Sequence, residues 1–335
     1  MVRSVNSSNP AAPPILHLCG PTASGKSSLA EKLAEQFDVE LVSVDSALVY
    51  RGMDIGSAKP DAETLRRCRY HLIDLIEPEA GYSAAKFVSD AKALIGQIQS
   101  RGRVPILVGG TMLYFRALTQ GLSDLPTTDP ALRAELLHEL ETRGLSALHA
   151  ELAQVDPAAA ARIHPNDPQR TVRALEVFRQ TGVPLSTQQH AWRSVMPGPE
   201  NVLRFALYPD RAWLHERIAL RFQQMLDVGF LAEVRALMVR PELTLEHTSM
   251  RAVGYRQAWQ HLSGEFDATE LLLRGVAATR QLAKRQITWI RSDPGLVRLE
   301  GDSDENYAVI SLTLQHQLAG TSAAKSIGAS NTIRS

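Results

Sequence analysis

Cysteine is nearly absent: the 335 residues contain two, Cys19 and Cys68. Two cysteines cannot supply a disulfide framework or a cysteine-rich zinc site. Long apolar runs are missing as well, and none approaches the ~18 residues that cross a bilayer. No membrane association is expected. The opening stretch MVRSVNSSNPAAPP lacks the apolar segment of a secretory signal. It reads as a loose tail, 1–14, and so does 319–335 at the other end. The expected location is the cytoplasm. Net charge is absent too, with 36 basic and 36 acidic residues. A neutral total removes a global attraction to nucleic acid but not a local one. From Arg251 to Arg291 the seven basic residues are Arg251, Arg256, Arg274, Arg280, Lys284, Arg285 and Arg291, against Glu265, Asp267 and Glu270, a local excess of four.

What is present is a globular composition, 44% hydrophobic and 21% charged, on a chain long enough for more than one domain. PILHLCG reads as a strand, KSSLAEKLAEQF as a helix, VELVSVDS as a second strand and YHLIDLI as a third. SAAKFVSDAKALIGQIQSRG has Ser83 as an N-cap and Gly102 as a stop, and VPILVGGT is a strongly apolar strand. Strands alternating with helices predict an α/β fold, a P-loop NTPase-like parallel sheet flanked by helices. After Gly121 the segments turn helical, with Pro and Gly between them. An all-α insertion domain is expected at 120–198, inside a core of 15–119 and 199–318 that ends in helices. RAWLHERIALRFQQMLDVGFLAEVRALM and ATELLLRGVAATRQLAKRQITWIR read as long helices.

Gly20-Pro21-Thr22-Ala23-Ser24-Gly25-Lys26-Ser27 fits G-x-x-x-x-G-K-[ST] between a strand and a helix. Backbone N–H groups of such a loop wrap a phosphate, and the helix dipole adds attraction. Lys26 neutralises phosphate charge and Ser27 ligates Mg²⁺. The pattern reports a phosphate, most often that of a nucleotide such as ATP, and leaves the chemistry open. Asp45 ends the second strand, beyond which ligands of doubly wound sheets bind. A carboxylate there takes a proton, holds a metal, or caps the next turn. Thr111, after Gly109 and Gly110, is equally a turn residue or a ligand contact.

Taken together, GPTASGKS, VDSALVYRGMDIGSAKP, ILVGGTMLYFRAL, ARIHPNDPQRTVRALEV, RAVGYRQAW and TRQLAKRQITWIR closely resemble the bacterial tRNA dimethylallyltransferases. The resemblance runs in order from about Ile15 to Arg291. Ser27 stands where many members have Thr, and either hydroxyl can bind the metal. Eukaryotic relatives often add a zinc finger, for which this chain lacks the cysteines. The resemblance implies transfer of a dimethylallyl group from dimethylallyl diphosphate to N6 of adenosine 37 in tRNA, with Mg²⁺. It implies that the loop holds the departing diphosphate, that Asp45 is the general base and that Thr111 steadies the diphosphate.

The same resemblance implies contacts to the anticodon stem-loop. They fall at Asp45, Ser46, Ala47 and Leu48; at Arg133; at Gln169, Arg170, Thr171, Val172 and Arg173; at Arg251, Ala252, Val253, Gly254, Tyr255 and Arg256; and at Lys284, Arg285, Gln286, Ile287, Thr288, Trp289, Ile290 and Arg291. On charge alone these stretches read as solvated helix faces, and the resemblance reverses that. Trp289 reads as core and His164 as structural. A monomer is expected. A small-molecule kinase or an RNA-remodelling NTPase would share the loop and the sheet.

Overall fold

The computed structural model describes residues 12–121, 125–127, 129–188 and 201–330. The tail expected at 1–14 lies outside the described residues through residue 11, as do 331–335. The chain divides into two compact units, Met1–Arg116 with Met196–Ser335, and Ala117–Val195.

The first unit begins with β1 (Ile15–Cys19), buried throughout, then α1 (Lys26–Gln36) and β2 (Val39–Val44). Next come α2 (Ala62–Arg67), β3 (Tyr70–His71), α3 (Ala84–Ser100), β4 (Val104–Gly109) and α4 (Met112–Gln120), within which the division after Arg116 falls. Strands buried on both faces read as continuous apolar runs, which is why β1 and β4 were visible in the sequence. The third strand is shorter than its apolar run suggested. Ser83 does cap α3, accepting from the Lys86 N–H at 3.1 Å.

The second unit is helical: α5 (Pro130–Arg143), α6 (Leu145–Val155), α7 (Pro157–Arg162), α8 (Pro168–Thr181) and α9 (Leu185–Gln188). Asp129-Pro130, Asp156-Pro157 and Asp167-Pro168 open three of these helices alike: the Asp side chain caps, and Pro sits where its missing N–H costs nothing. Leu136, Leu148, Leu152, Val172, Leu175 and Val177 form the centre of its core.

The chain then returns to the first unit with β5 (Val202–Leu207), α10 (Arg211–Asp227), α11 (Phe230–Met238), α12 (Tyr255–Leu262), α13 (Ala268–Ser292), β6 (Val297–Leu299) and α14 (Ser303–Ser330). The single long helix expected from Arg211 onward is broken after Asp227, because Gly229 takes φ 105° in the left-handed region. At the other end α14 runs on through Ser330, where the sequence reading had a loose tail from 319. The six strands are parallel, in the order β3-β2-β4-β1-β5-β6. Leu29 and Leu33 of α1 and Ile310 and Leu314 of α14 pack with Leu16, Leu18, Ile106 and Phe205 in one core on a face of this sheet.

Candidate active site

Strand register brings the motifs together. Cys19 pairs with Gly109, and Gly109 pairs with Val44, so β1, β4 and β2 end level. The residues just past those ends, Gly20, Gly110–Thr111 and Asp45, therefore share the carboxyl edge of the sheet, where ligands of such sheets bind. Only glycine fits at 109: a Cβ there would lie 2.0 Å from the Val44 carbonyl oxygen.

Hydrogen bonds then stitch the strand ends together. The Thr111 N–H donates to the Val44 carbonyl at 3.1 Å. The Thr111 hydroxyl oxygen accepts from the Ser46 N–H at 3.0 Å, so Thr111 shapes the turn that carries Asp45. Asp45 Oδ1 accepts from the Ala47 N–H at 2.8 Å. One oxygen of Asp45 thus forms the turn, and the half-buried residue lines a cavity. Of the sequence readings of Asp45, the geometry shows the turn-former, in a side chain that also lines the cavity.

The phosphate loop folds through two left-handed residues, Ala23 at φ 64° and Gly25 at φ 88°. Helix α1 starts at Gly25 without a side-chain cap, which leaves its first N–H groups open to an anion. Lys26 Nζ reaches back to the Pro21 carbonyl at 3.3 Å. Burial pulls the Lys26 ammonium down to about 8; the Asp45 charge opposes that pull and Arg221 adds to it.

Arg221 is a site residue that the sequence reading missed. In α10 the apolar stripe Leu214, Ile218, Phe222 faces the core, and Arg221 stands three residues past Ile218 at the edge of that stripe. Burial lowers its pKa, while the Asp45 carboxylate raises it. The available signal was an arginine interrupting the apolar flank of a helix that follows a strand end.

These groups surround one cavity of about 440 Å³ within the first unit. Thr22, Lys26, Ser27, Asp45, Thr111 and Arg221 supply polar walls, and Ile218, Phe222, Met225, Leu282 and Trp289 an apolar one. Arg251 and Arg285 line it too, giving four cations with Lys26 and Arg221 against Asp45. A further wall is the loop through Gly56–Ala58, held by two residues that the sequence reading also missed. The Glu233 carboxylate accepts from the N–H groups of Asp54, Ile55 and Gly56 at 2.9, 2.6 and 3.1 Å and from the Tyr255 hydroxyl at 2.7 Å. Lys59 donates to the Tyr50 carbonyl at 2.8 Å and to Asp54 at 2.6 Å.

The residues assigned to RNA separate into two kinds. Arg251, Arg256, Lys284, Arg285, Thr288 and Arg291 are exposed, as are Gln169 and Arg170 in the second unit. Ser46 is exposed, and Ala47, Leu48, Ala252, Val253 and Ile287 are half-buried. Thr171, Val172, Gly254, Tyr255, Gln286 and Ile290 are buried. The packing of α8, α12 and α13 turns these side chains inward, so the helical faces of the motifs are narrower than their sequence blocks. Arg173 is half-buried and donates to the fully buried Glu176 at 2.8 Å and to the Pro126 carbonyl at 2.8 Å. Arg133 sits 3.6 Å from the same Glu176. Both arginines hold the second unit together. Trp289 is half-buried, with the Arg116 guanidinium 5.3 Å from its ring centroid. His164 accepts from the Asn166 N–H at 3.1 Å, a local structural bond.

A parallel sheet whose first strand runs into such a loop puts this chain in the P-loop α/β class of proteins. The family described as IPP transferase matches residues 48–293. The tRNA dimethylallyltransferase of Thiobacillus denitrificans is 56% identical over 294 residues, which cover 88% of this chain and 93% of that one. The enzyme of the same name from Thioalkalivibrio sulfidiphilus is 52% identical, covering 92% and 96%. The crystal structure of the full-length tRNA isopentenylpyrophosphate transferase of Bacillus halodurans superimposes with a TM-score of 0.66 at 34% identity, over 93% of this chain and 99% of that one. The chain belongs to the IPP transferase family.

Proposed function

We propose that this chain transfers a dimethylallyl group from dimethylallyl diphosphate to N6 of adenosine 37, beside the tRNA anticodon. The observation that carries this reading is the level ending of β1, β4 and β2, which gathers a phosphate loop, Asp45 and Thr111 around one cationic cavity. The kinship with tRNA dimethylallyltransferases supports tRNA as the acceptor and a dimethylallyl group as what is moved.

The chemistry follows from the groups present. The open N–H groups at the start of α1, with Lys26 and Arg221, bind the diphosphate and stabilise the charge that grows as it leaves. Asp45 accepts the N6 proton as the new C–N bond forms. The C1–O bond of the donor breaks at the same time, and its electron pair departs on the diphosphate. The apolar wall of Ile218, Phe222, Met225 and Leu282 receives the hydrocarbon tail and excludes water. N6 lies on the pairing edge of the base, so adenosine 37 leaves the stacked loop to meet Asp45.

Mg²⁺ fits the residues on hand. No cluster of three or more His, Cys, Asp or Glu among the described residues is arranged to hold a metal. Mg²⁺ needs none, since it takes one or two protein oxygens and completes its shell with phosphates and water. The exposed Ser27 hydroxyl, in the first turn of α1 and lining the cavity, would be that oxygen. When bound, Mg²⁺ adds charge neutralisation at the leaving oxygens. The enzyme acts as a monomer in the cytoplasm. No helix among the described residues is long and apolar enough to cross a membrane.

Label transfer tests the reading. With an anticodon stem-loop as acceptor, label should pass to RNA from allyl-labelled dimethylallyl diphosphate and not from γ-labelled ATP. The reverse result would mark a kinase.

A further inference from the structure

Helix α13 carries exposed Lys284 and Arg285 and, next to them, the buried Gln286. Gln286 spans the chain. Its Oε1 accepts from the Thr22 N–H of the phosphate loop at 2.9 Å. Its Nε2 donates to the Gly110 carbonyl at 2.8 Å. Few side chains could do both: a carboxylate has no donor and an ammonium has no acceptor. The fit is close, since a Cβ on Gly110 would come within 2.4 Å of Gln286 Nε2. From Gly110 the connection continues to Thr111, whose hydroxyl holds the Ser46 N–H beside Asp45. One amide therefore joins the phosphate loop to the turn network of the base.

We propose that Gln286 is a positioning residue for the donor site, fixing Thr22 against Gly110 so that helix α13 sets the geometry in which the diphosphate is held. This rests on the reading that the cavity binds an allylic diphosphate. Gln286 lines the cavity as well, but both ends of its amide are committed to protein partners, so its effect falls on donor binding through Thr22, not on the exposed face of α13.

Kinetics of transfer from dimethylallyl diphosphate to tRNA, across a range of pH, test the inference in Gln286→Glu and Gln286→Met. Both should raise the donor KM roughly tenfold, the cost of about one hydrogen bond at a buried pair. Direct tRNA binding should stay at the wild-type level. In Gln286→Glu the excess in KM over wild type should shrink as pH falls, because the protonated carboxyl regains an O–H donor for Gly110. In Gln286→Met it should not change with pH. A wild-type donor KM in either variant, or a Gln286→Glu excess that ignores pH, overturns the proposal. If Gln286→Met does not fold, the pH series of Gln286→Glu is sufficient. Failure of the wild-type protein to transfer from this donor would instead overturn the underlying functional reading.

Discussion

At the scale of single residues, the proposed function rests on Asp45 as the base. Its carboxylate is set by the Ala47 N–H and by the Thr111–Ser46 bond, so its position does not depend on RNA. Asp45→Asn keeps that turn and removes the base. It should bind tRNA normally and lose roughly 10²–10⁴-fold in transfer, read as single-turnover rates with saturating donor. Near-normal rates would remove Asp45 as base. Lys26 makes a second prediction. Its ammonium sits at about 8 in the free protein, and a bound diphosphate favours the charged form. Below pH 8 the proton is already present; above it, binding must take one up. The donor Kd should therefore rise as pH climbs past about 8, by up to tenfold per unit. Lys26→Met should bind weakly and lack this rise. Asp45, Thr111 and the loop were legible because each lies in a chain-local motif at a strand end. Arg221 and Glu233 were not, because their roles depend on which side of α10 and α11 meets the sheet edge, and sequence periodicity leaves that choice open; Lys59 was not, because its bonds to Tyr50 and Asp54 depend on how its loop folds.

At the scale of elements, α13 and α8 show how an RNA-like motif can conceal structural work. Both carry arginines in blocks that the family resemblance assigns to tRNA. In α13 Lys284 and Arg285 are exposed, and Arg285 lines the cavity. In α8 Arg173 is committed to Glu176 and Pro126. Lys284→Ala should weaken tRNA binding and lower the salt slope by about one. Arg173→Ala should instead destabilise the second unit by about 1–3 kcal/mol, because it strips a partner from a buried carboxylate. Thermal melts and salt titrations of the two variants separate these effects. A normal melt for Arg173→Ala with a reduced salt slope would return Arg173 to the RNA face. The pattern of helix and core in α8 was readable from its period; the commitment of Arg173 was not, since the burial of Glu176 and the approach of the distant Pro126 carbonyl are set by tertiary packing.

At the scale of the whole molecule, the sheet keeps the proposed base and a structural carboxylate at opposite ends of one strand. Asp45 follows the last residue of β2, and Glu40 lies near its start. Glu40 is fully buried and accepts from Arg69, Arg101 and Arg103, with His71 at 2.7 Å. Burial alone would raise its pKa, but the hydrogen bonds from Arg101, His71 and Arg103 outweigh it and hold the carboxyl at about 2. Because the folded value is depressed from 4.5, this contribution is present above pH 4.5 and disappears as pH falls toward 2. It amounts to about 2 kcal/mol at neutral pH once the half-exposed arginines are discounted. Denaturant unfolding should show Glu40→Gln less stable by that amount at pH 7 and nearly level with wild type near pH 2. The parallel sheet and the helical insertion were legible from alternating strand and helix signals. The level ending of three strands was not, because register is a property of pairing and not of any one segment.

That register supports the central claim, that a phosphate loop here holds a leaving group while carbon is transferred. The most direct test is mass analysis of nucleosides from tRNA incubated with the protein, dimethylallyl diphosphate and Mg²⁺. The predicted result is an adenosine heavier by one C5H8 unit, mapped to the position beside the anticodon, with diphosphate released in equal amount. Unmodified adenosine at that position, despite bound tRNA and donor, would contradict it.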